Sequence, residues 1–207
     1  RTGSGKTTLV DLLLRIYNLN KGELLIDGVD IMDYKVRDIR DSVSYVPQDN
    51  FLFSHTISNN ISFSKKVLVM EDVMKAAELA DVAENINEFH DKYDTLLGER
   101  GVTVSGGQKQ RISIARALAK DPTILILDDS VSAVDTNTED AIISNLRKIR
   151  KGRTTLMIAH RISTVKKLDK IILLENGKLI GFGSHKELLK SNAVYQEMVK
   201  QIERASC

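Results

Sequence analysis

The feature that most constrains the fold of this chain is a short glycine-rich segment near its start. Two glycines separated by one serine are followed there by Lys-Thr-Thr. The order Gly3-Ser4-Gly5-Lys6-Thr7 fits the P-loop pattern G-x-x-x-x-G-K-[ST], except that the pattern's first glycine would fall before position 1. Glycines in such a loop let backbone N–H groups point at phosphate oxygens, and the next helix contributes its positive end. Apolar residues at helical spacing over Thr7–Tyr17 predict that helix. Because the sequence starts inside the motif, we expect a longer protein.

Composition narrows the class of protein. A chain of 207 residues that is 42% hydrophobic and 28% charged is expected to be globular and soluble, with a substantial core. Its 30 basic and 28 acidic residues give a net charge of only +2, so nucleic acid is not an expected partner. The single cysteine, Cys207, excludes an internal disulfide framework and indicates a protein of the cytosol or facing it. No apolar run approaches the roughly 18 residues that span a bilayer, so any membrane association should come through another segment.

Apolar runs that alternate with helical patterns predict an α/β fold. The apolar run Thr123–Leu127 is typical of a strand buried on both faces of a parallel sheet, and the runs Thr154–Ala159 and Lys170–Leu174 are similar. Shorter strands are predicted at Glu23–Ile26, before an Asp-Gly turn, and at Ser42–Val46. Further helices are predicted at Ser105–Ala119 and Thr138–Arg150, in a mostly helical lobe that starts over Met70–Asn87, and as an amphipathic pair over Ser184–Ile202.

Two carboxylates stand directly after the predicted strand Thr123–Leu127. Ligands of open α/β sheets bind at the carboxyl ends of the strands, which is where Asp128 and Asp129 fall. One aspartate there can hold the water shell of Mg²⁺, and the other can orient or deprotonate an attacking water. In the P-loop, Lys6 would reach the β- and γ-phosphates and the Thr7 hydroxyl would ligate Mg²⁺. For the Asp pair taken alone, capping of the next turn is at least as good an explanation.

A second pair of glycines lies at the N-terminus of the helix predicted at Ser105–Ala119. In Val104-Ser105-Gly106-Gly107-Gln108 the glycines let a phosphate approach the helix N-terminus, and the serine hydroxyl can donate to it. Serine with glutamine three residues later is also an ordinary capping box. The two interpretations are compatible with one another. The order of P-loop, glycine pair and Asp pair in one chain favours a functional role.

These motifs, in this order and over the whole length, resemble the nucleotide-binding domain of an ABC transporter. Arg1–Thr8 is similar to the Walker A loop, Val104–Gln108 to the signature sequence and Ile124–Asp128 to the Walker B strand. The resemblance implies that Gln48 contacts Mg²⁺ and the transmembrane domain, and that His160 contacts the γ-phosphate. It implies ATP binding by the following residues: Thr2, Gly3, Ser4, Gly5, Lys6, Thr7, Thr8, Ser105, Gly106, Gly107, Gln108 and the D-loop residue Asp135.

The family also implies an architecture and partners. A P-loop NTPase (RecA-like) core is expected over residues 1–48 and 122–207, with an inserted α-helical signature subdomain over 49–121. ATP and Mg²⁺ are the implied cofactors, and the implied metal ligands are Thr7, Gln48 and Asp128. The implied partners are a second nucleotide-binding domain, paired head to tail, and transmembrane domains at the cytoplasmic face of the membrane. Gln48–Phe53 and Gly98–Gly101 resemble the exporter branch, of the multidrug or lipid type.

The residue after the Walker B aspartate departs from the family pattern. Active members usually have glutamate after the Walker B aspartate, and this chain has Asp129. A carboxylate misplaced by roughly 1 Å can lose on the order of a hundredfold in rate, which predicts ATP binding with slow hydrolysis. The chain therefore resembles the degenerate-site subunit of heterodimeric bacterial exporters. A homodimer in which Asp129 still works, a soluble ATPase of the same superfamily and a kinase that shares only the P-loop stay open as alternatives.

Overall fold

The structure, a computed structural model, describes residues 3–64, 68–98 and 103–205. It divides into two compact units, one formed by the residues up to Asp33 and from Ala159 onward, the other by Tyr34–Ile158. In chain order the elements are α1 (Lys6–Leu13), β1 (Leu25–Ile26), β2 (Val29–Asp30), α2 (Val36–Ser42), β3 (Val43–Val46), α3 (Ile57–Ser62), α4 (Met70–Leu79), α5 (Ala83–Glu88), α6 (Gly106–Ala119), β4 (Ile124–Asp128), α7 (Thr136–Ile149), β5 (Thr154–Ile158), α8 (Ile162–Val165), β6 (Ile171–Glu175), β7 (Lys178–Gly183), α9 (His185–Ser191) and α10 (Ala193–Ala205), with short 3₁₀ turns at Ile31–Asp33 and Lys92–Asp94.

A parallel sheet in the order β3-β4-β5 forms the centre of the second unit. Val43 pairs with Ile124, and Ile124 in turn pairs with Thr154. The central strand β4 is the most apolar, and its Leu125, Ile126 and Leu127 are fully buried. This confirms the prediction of a strand buried on both faces, because helices cover a parallel sheet on its two sides.

Helices α3 to α6 lie between β3 and β4 in the second unit, with α2 before β3 and α7 after β4. The helical segment predicted from Met70 is divided into α4 and α5. Asp81 takes a left-handed φ of 56°, and the N–H of Val82 donates to the Ala77 carbonyl at 3.0 Å. This is a Schellman termination, which ends a helix while still satisfying its last carbonyls. The helix predicted at Ser105–Ala119 is confirmed as α6.

The first unit contains two antiparallel hairpins, and one of them corrects a prediction. The apolar run from Lys170 does form strand β6, but β6 pairs antiparallel with β7 and does not join the parallel sheet. Asn176 and Gly177, with φ of 49° and 73°, form the turn that sends the chain back. Ile172 is 46% exposed, so β6 is covered on one face only. The predicted Asp-Gly turn likewise joins β1 to β2.

The first helix is shorter than the sequence predicts. It ends at Leu13 and not near Tyr17, because Arg15 takes a left-handed φ of 50° and the N–H of Ile16 donates to the Asp11 carbonyl at 2.8 Å. The amphipathic pair predicted at the other end of the chain is confirmed as α9 and α10, which bury Leu188 and Tyr195. Among the described residues, no helix combines the length and the apolar character needed to cross a membrane.

Candidate nucleotide site

The loop before α1 has the backbone geometry of an anion-binding turn. Gly5 stands at the N-cap position with a left-handed φ of 97°, which a residue with a Cβ rarely adopts. Since glycine has no side chain, the N-cap residue itself makes no side-chain bond to the N–H groups of the first helical turn. The Lys6 ammonium donates to the Ser4 hydroxyl at 3.1 Å, and the N–H of Gly177 donates to the Ser4 carbonyl at 3.2 Å. The loop is therefore anchored on the β6–β7 turn, and it stands at the positive N-terminal end of α1, where phosphate groups bind in other proteins.

Of the other P-loop residues, two lie on the first turn of α1 and one lies in the loop before it. Thr7 and Thr8 are exposed in the first turn of α1, where a hydroxyl can reach a ligand. Gly3, also left-handed with a φ of 77°, has open space where a Cβ would stand. Thr2 was predicted to bind the nucleotide and lies outside the described residues.

The carboxyl end of β4 carries the buried aspartate. Asp128 is 7% exposed, and its Oδ2 accepts a hydrogen bond from the Tyr45 hydroxyl of β3 at 3.2 Å. The hydroxyl of Ser130 donates to the Val46 carbonyl at 2.9 Å and ties the loop after β4 to the end of β3. Gln48, two residues beyond β3, is exposed. Tyr45 and Ser130 gave no signal in the sequence, because their partners lie more than 80 residues away along the chain.

The backbone of Asp129 is held on both sides. Its N–H donates to the Ile158 carbonyl at 2.9 Å, which extends the β4–β5 ladder by one bond. Its carbonyl accepts from the N–H of Ser132 at 3.2 Å and from the Ser132 hydroxyl at 2.8 Å. The residue takes a left-handed φ of 48°, a conformation that aspartate tolerates better than most residues. These bonds fix where the half-buried carboxylate can reach.

The signature segment forms the capped N-terminus of α6. The N–H of Gln108 donates to the Ser105 hydroxyl at 3.2 Å, and the N–H of Ser105 donates to the Gln108 side-chain oxygen at 3.0 Å. The capping box expected from the sequence is confirmed. A Cβ on Gly107 would stand 3.0 Å from the Ala133 carbonyl oxygen, so a side chain at the second glycine would press against the backbone of that loop. Gly106 is exposed and leaves the helix end open.

Asp135 caps the next helix. Its carboxylate accepts from the N–H groups of Asn137 at 3.0 Å and Thr138 at 3.1 Å, at the start of α7. Hydrogen bonds from the backbone and the side chain of Thr138 hold the pKa of the Asp135 carboxyl below its usual value. His160 is exposed, two residues after the end of β5.

The predicted residues thus fall into both units. Gly3–Thr8 and His160 belong to the first, and Gln48, Ser105–Gln108, Asp128, Asp129 and Asp135 belong to the second. Within the described ranges no group of three His, Cys, Asp or Glu residues could hold a metal ion. The predicted magnesium ligands include a single carboxylate, and Mg²⁺ bound by so few protein groups also takes oxygens from phosphates and water.

An aromatic patch lies on the surface of the second unit beyond Gln48. We define it as Phe51, Phe53 and Phe63, whose rings follow one another at centroid distances of 5.0 and 4.2 Å. Phe51 is 61% exposed and Phe63 is 64% exposed. The Arg116 guanidinium lies 5.2 Å from the centre of the Phe53 ring. Large aromatic side chains exposed side by side are typical of an interaction surface.

Comparison with known proteins identifies the family. The sequence pattern of the family described as ABC transporter matches residues 1–132. The chain belongs to the ABC transporter family. It has the α/β fold of the P-loop NTPases, as the sequence predicted, and it has the sequence and fold of a nucleotide-binding domain of the exporter type. The kinase that shares only the P-loop is thereby excluded.

Relatives of this ABC domain are longer proteins. It is 47% identical over 197 residues to the Bacillus subtilis (strain 168) protein named "Putative multidrug export ATP-binding/permease protein YgaD", covering 95% of this chain and 34% of that protein. It is 43% identical over 201 residues to the ATP-dependent lipid A-core flippase of Escherichia coli (strain K12), covering 97% and 34%. A solved structure of a bacterial Atm1-family ABC exporter with ATP bound superposes with a TM-score of 0.93 at 42% identity, covering 97% and 35%. The ABC domain spans about a third of the length of these relatives.

Proposed function

We propose that this domain binds ATP with Mg²⁺, pairs head to tail with a second nucleotide-binding domain, and drives export through transmembrane domains at the cytoplasmic face of a membrane. One observation carries the proposal: the chain has two helix N-termini suited to phosphate, Gly3–Thr8 at the start of α1 and Ser105–Gln108 at the start of α6. A chain that bound ATP without a partner chain would need only one of these helix N-termini. Two fit an arrangement in which each ATP lies between the P-loop of one chain and the signature of its partner.

Each residue has a distinct role in this proposal. The N–H groups of the loop and the ammonium of Lys6 hold the β- and γ-phosphates. The Thr7 hydroxyl, the Gln48 amide and the Asp128 carboxylate are the groups that would hold Mg²⁺, which offsets phosphate charge when it is bound. The buried position of Asp128 and its bond from Tyr45 support this role, because they hold one carboxylate in a fixed direction.

The signature and the switch residue connect ATP to the dimer. Ser105 and Gly107 would contact the γ-phosphate bound by the partner, and His160 would contact the γ-phosphate bound by its own chain. Loss of the γ-phosphate on hydrolysis removes those contacts, which lets the dimer open. Helices α3 to α6 lie within residues 49–121 and support a helical signature subdomain inserted into a core of 1–48 and 122–207.

The site that uses Asp129 is proposed to be slow. Aspartate is shorter than glutamate by one carbon–carbon bond, about 1.5 Å. The backbone cannot advance to compensate, because the N–H and the carbonyl of Asp129 are both hydrogen-bonded. This favours an impaired site over a homodimer in which the loop has shifted. The intact Ser105–Gln108 would meanwhile complete the competent site of a partner chain.

The transmembrane partner is proposed to dock at the aromatic patch. Phe51 and Phe63 expose most of their rings and follow Gln48, which resembles the family residue that contacts that domain. The relatives are about three times as long, and the name of one joins ATP binding to a permease. This length and this name favour a transmembrane domain as the occupant of the patch.

Steady-state ATP turnover of the full-length subunit, in detergent or lipid discs, tests the proposal. Three proteins are compared: the native subunit, Asp129→Glu, and Asp72→Glu on the exposed first turn of α4 as a matched control. We expect slow turnover in the native protein and in the control, and an increase of at least about tenfold in Asp129→Glu. Nucleotide titration of Lys6→Ala, which should bind ATP weakly, reports on the P-loop separately.

Other outcomes would count against specific parts of the proposal. Brisk turnover by the native subunit alone would restore Asp129 as a working base in a homodimer. No increase in Asp129→Glu, even with a partner subunit present, would remove the short carboxylate as the cause of slow hydrolysis. A full-length protein that binds ATP but lacks transmembrane segments would favour a soluble ABC-type ATPase.

A further inference from the structure

The side chain of Gln110 joins the signature helix to the loop that follows Asp128. Gln110 lies one turn into α6 and is 6% exposed. Its Oε1 accepts from the N–H of Ala133 at 3.0 Å, and its Nε2 donates to the Ser132 hydroxyl at 3.4 Å. That hydroxyl in turn donates to the Asp129 carbonyl at 2.8 Å. A continuous chain of hydrogen bonds therefore runs from α6 to the backbone of Asp129.

Close packing on the same face of α6 leaves this loop little freedom. Gly107 precedes Gln110 by three residues, so both residues lie on one face of the helix. A Cβ on Gly107 would stand 3.0 Å from the Ala133 carbonyl oxygen and 3.6 Å from a Val134 methyl group. The helix thus contacts the loop at two successive turns, by backbone approach at Gly107 and by the amide at Gln110.

We propose that Gln110 is a positioning residue that sets the geometry of Asp129 relative to Ser105–Gln108. The proposal rests on the function proposed above, in which Asp129 acts on the ATP of its own chain and the signature acts on the ATP of the partner. Gln110 would then be the side chain that connects the two composite ATP sites within one subunit. It would act on the site through its bonds to Ser132 and Ala133.

Only an amide of this length satisfies both bonds. The Ala133 N–H needs an acceptor, and the Ser132 hydroxyl needs a donor because its own proton is used on the Asp129 carbonyl. Gln110→Met keeps the length and removes both functions. Gln110→Glu keeps the acceptor but, when ionised, draws the Ser132 proton away from Asp129. Ser132→Ala breaks the connection to Asp129 and leaves the bond to Ala133 in place.

The test measures kcat and KM for ATP in the full-length protein, in the Asp129→Glu background where turnover is measurable. We expect Gln110→Met to lower kcat by about tenfold or more, since misplacement by roughly 1 Å costs up to a hundredfold, with KM within about twofold. Gln110→Glu and Ser132→Ala should each give part of that loss. The double variant Gln110→Met/Ser132→Ala should lose less than the product of the two single losses, because both act on one connection.

A control separates positioning from the general loss of an amide hydrogen bond. Asn145 on α7 also donates its side-chain amide to a backbone carbonyl, that of Leu79 at 3.2 Å, away from the site. Asn145→Leu should leave kcat and KM unchanged. Thermal unfolding of each variant shows whether it is folded, and Ser132→Ala gives a second test if Gln110→Met is unstable.

The results distinguish this inference from the proposed function. If the protein does not bind ATP, or if Asp129→Glu does not raise turnover, the proposed function fails before Gln110 is examined. If both hold and Gln110→Met and Ser132→Ala leave kcat unchanged, Gln110 does not position Asp129. A fall in kcat that Asn145→Leu reproduces, or a double variant whose losses simply multiply, would also overturn the inference.

Discussion

Replacing Arg150 by alanine should strongly destabilise the second unit, although Arg150 is not one of the predicted site residues. Arg150 follows α7 and is only 6% exposed. Its guanidinium donates to the carbonyls of Pro122 at 2.9 Å, Thr123 at 3.1 Å and Thr154 at 2.8 Å, and its Nε donates to the Thr155 hydroxyl at 2.9 Å. One side chain therefore holds the beginnings of β4 and β5 together against the end of α7.

The expected magnitude follows from two opposing contributions. A hydrogen bond to a charged group contributes roughly 1.5–3 kcal/mol, so four of them are worth about 6–12 kcal/mol before costs. Burying an ion costs several kcal/mol, and burial is also the main cause that lowers the pKa of Arg150. Alanine removes both contributions and admits water to the freed carbonyls. We expect a net loss of about 2–4 kcal/mol in the free energy of unfolding.

Hydrogen–deuterium exchange in the full-length protein measures this loss where it occurs. Amides of β4 and β5 should exchange about 30- to 700-fold faster in Arg150→Ala, since 1.4 kcal/mol corresponds to a factor of ten. In Arg150→Lys the exchange rates of these amides should lie between those of the native protein and those of Arg150→Ala, because an ammonium cannot reproduce the planar guanidinium that reaches these carbonyls.

Arg153, three residues later, provides the matched control. Its guanidinium pairs with Asp121 at the surface, and Asp121 raises the pKa of Arg153 through a hydrogen bond and opposite charge. Exposed ion pairs contribute little to stability, so Arg153→Ala should exchange like the native protein. Equal effects of the two substitutions, or none for Arg150→Ala, would refute the reasoning from burial.

Two further predictions concern other parts of the second unit. Asn60 is fully buried, and its side-chain oxygen accepts from the N–H of Phe53 and from the Arg116 guanidinium, both at 2.8 Å. Asn60→Ala should therefore lower the free energy of unfolding by about 3–5 kcal/mol and speed hydrogen–deuterium exchange of the amides that follow Gln48. Replacing the exposed neighbour, Asn59→Ala, should do neither. Asp135 has a lowered pKa in the folded state, so its charge adds stability above the ordinary aspartate value of 3.8, and that stability is lost as the pH falls through the lower folded pKa. Asp135→Asn keeps an oxygen that can accept the cap hydrogen bonds but loses the stability contributed by the charge. The difference in unfolding temperature between this variant and the native protein should therefore be smaller at pH 3 than at pH 7.

Some elements could be predicted from the sequence because their signals are short. Ser105 and Gln108 form a capping box across three residues, and the apolar run before Asp128 predicts a strand buried on both faces. The antiparallel β6–β7 pair is not among the predicted elements, although its Asn176-Gly177 turn carries a local hairpin signal. The early ends of α1 and α4 had no such signal. Arg15 and Asp81 take left-handed conformations there that glycine usually takes.

The sequence by itself determined the family, the motifs and most of the element order. Those depend on residues within a few positions of one another, where spacing alone decides whether a cap, a turn or an apolar face can form. Only the tertiary structure decided that Tyr45 meets Asp128, that Gln110 holds the loop after Asp129, and that Arg150 joins two strands. The physical reason is that each of these polar side chains is paired by segments brought together when the core closes, and no local pattern specifies which distant partner will satisfy it.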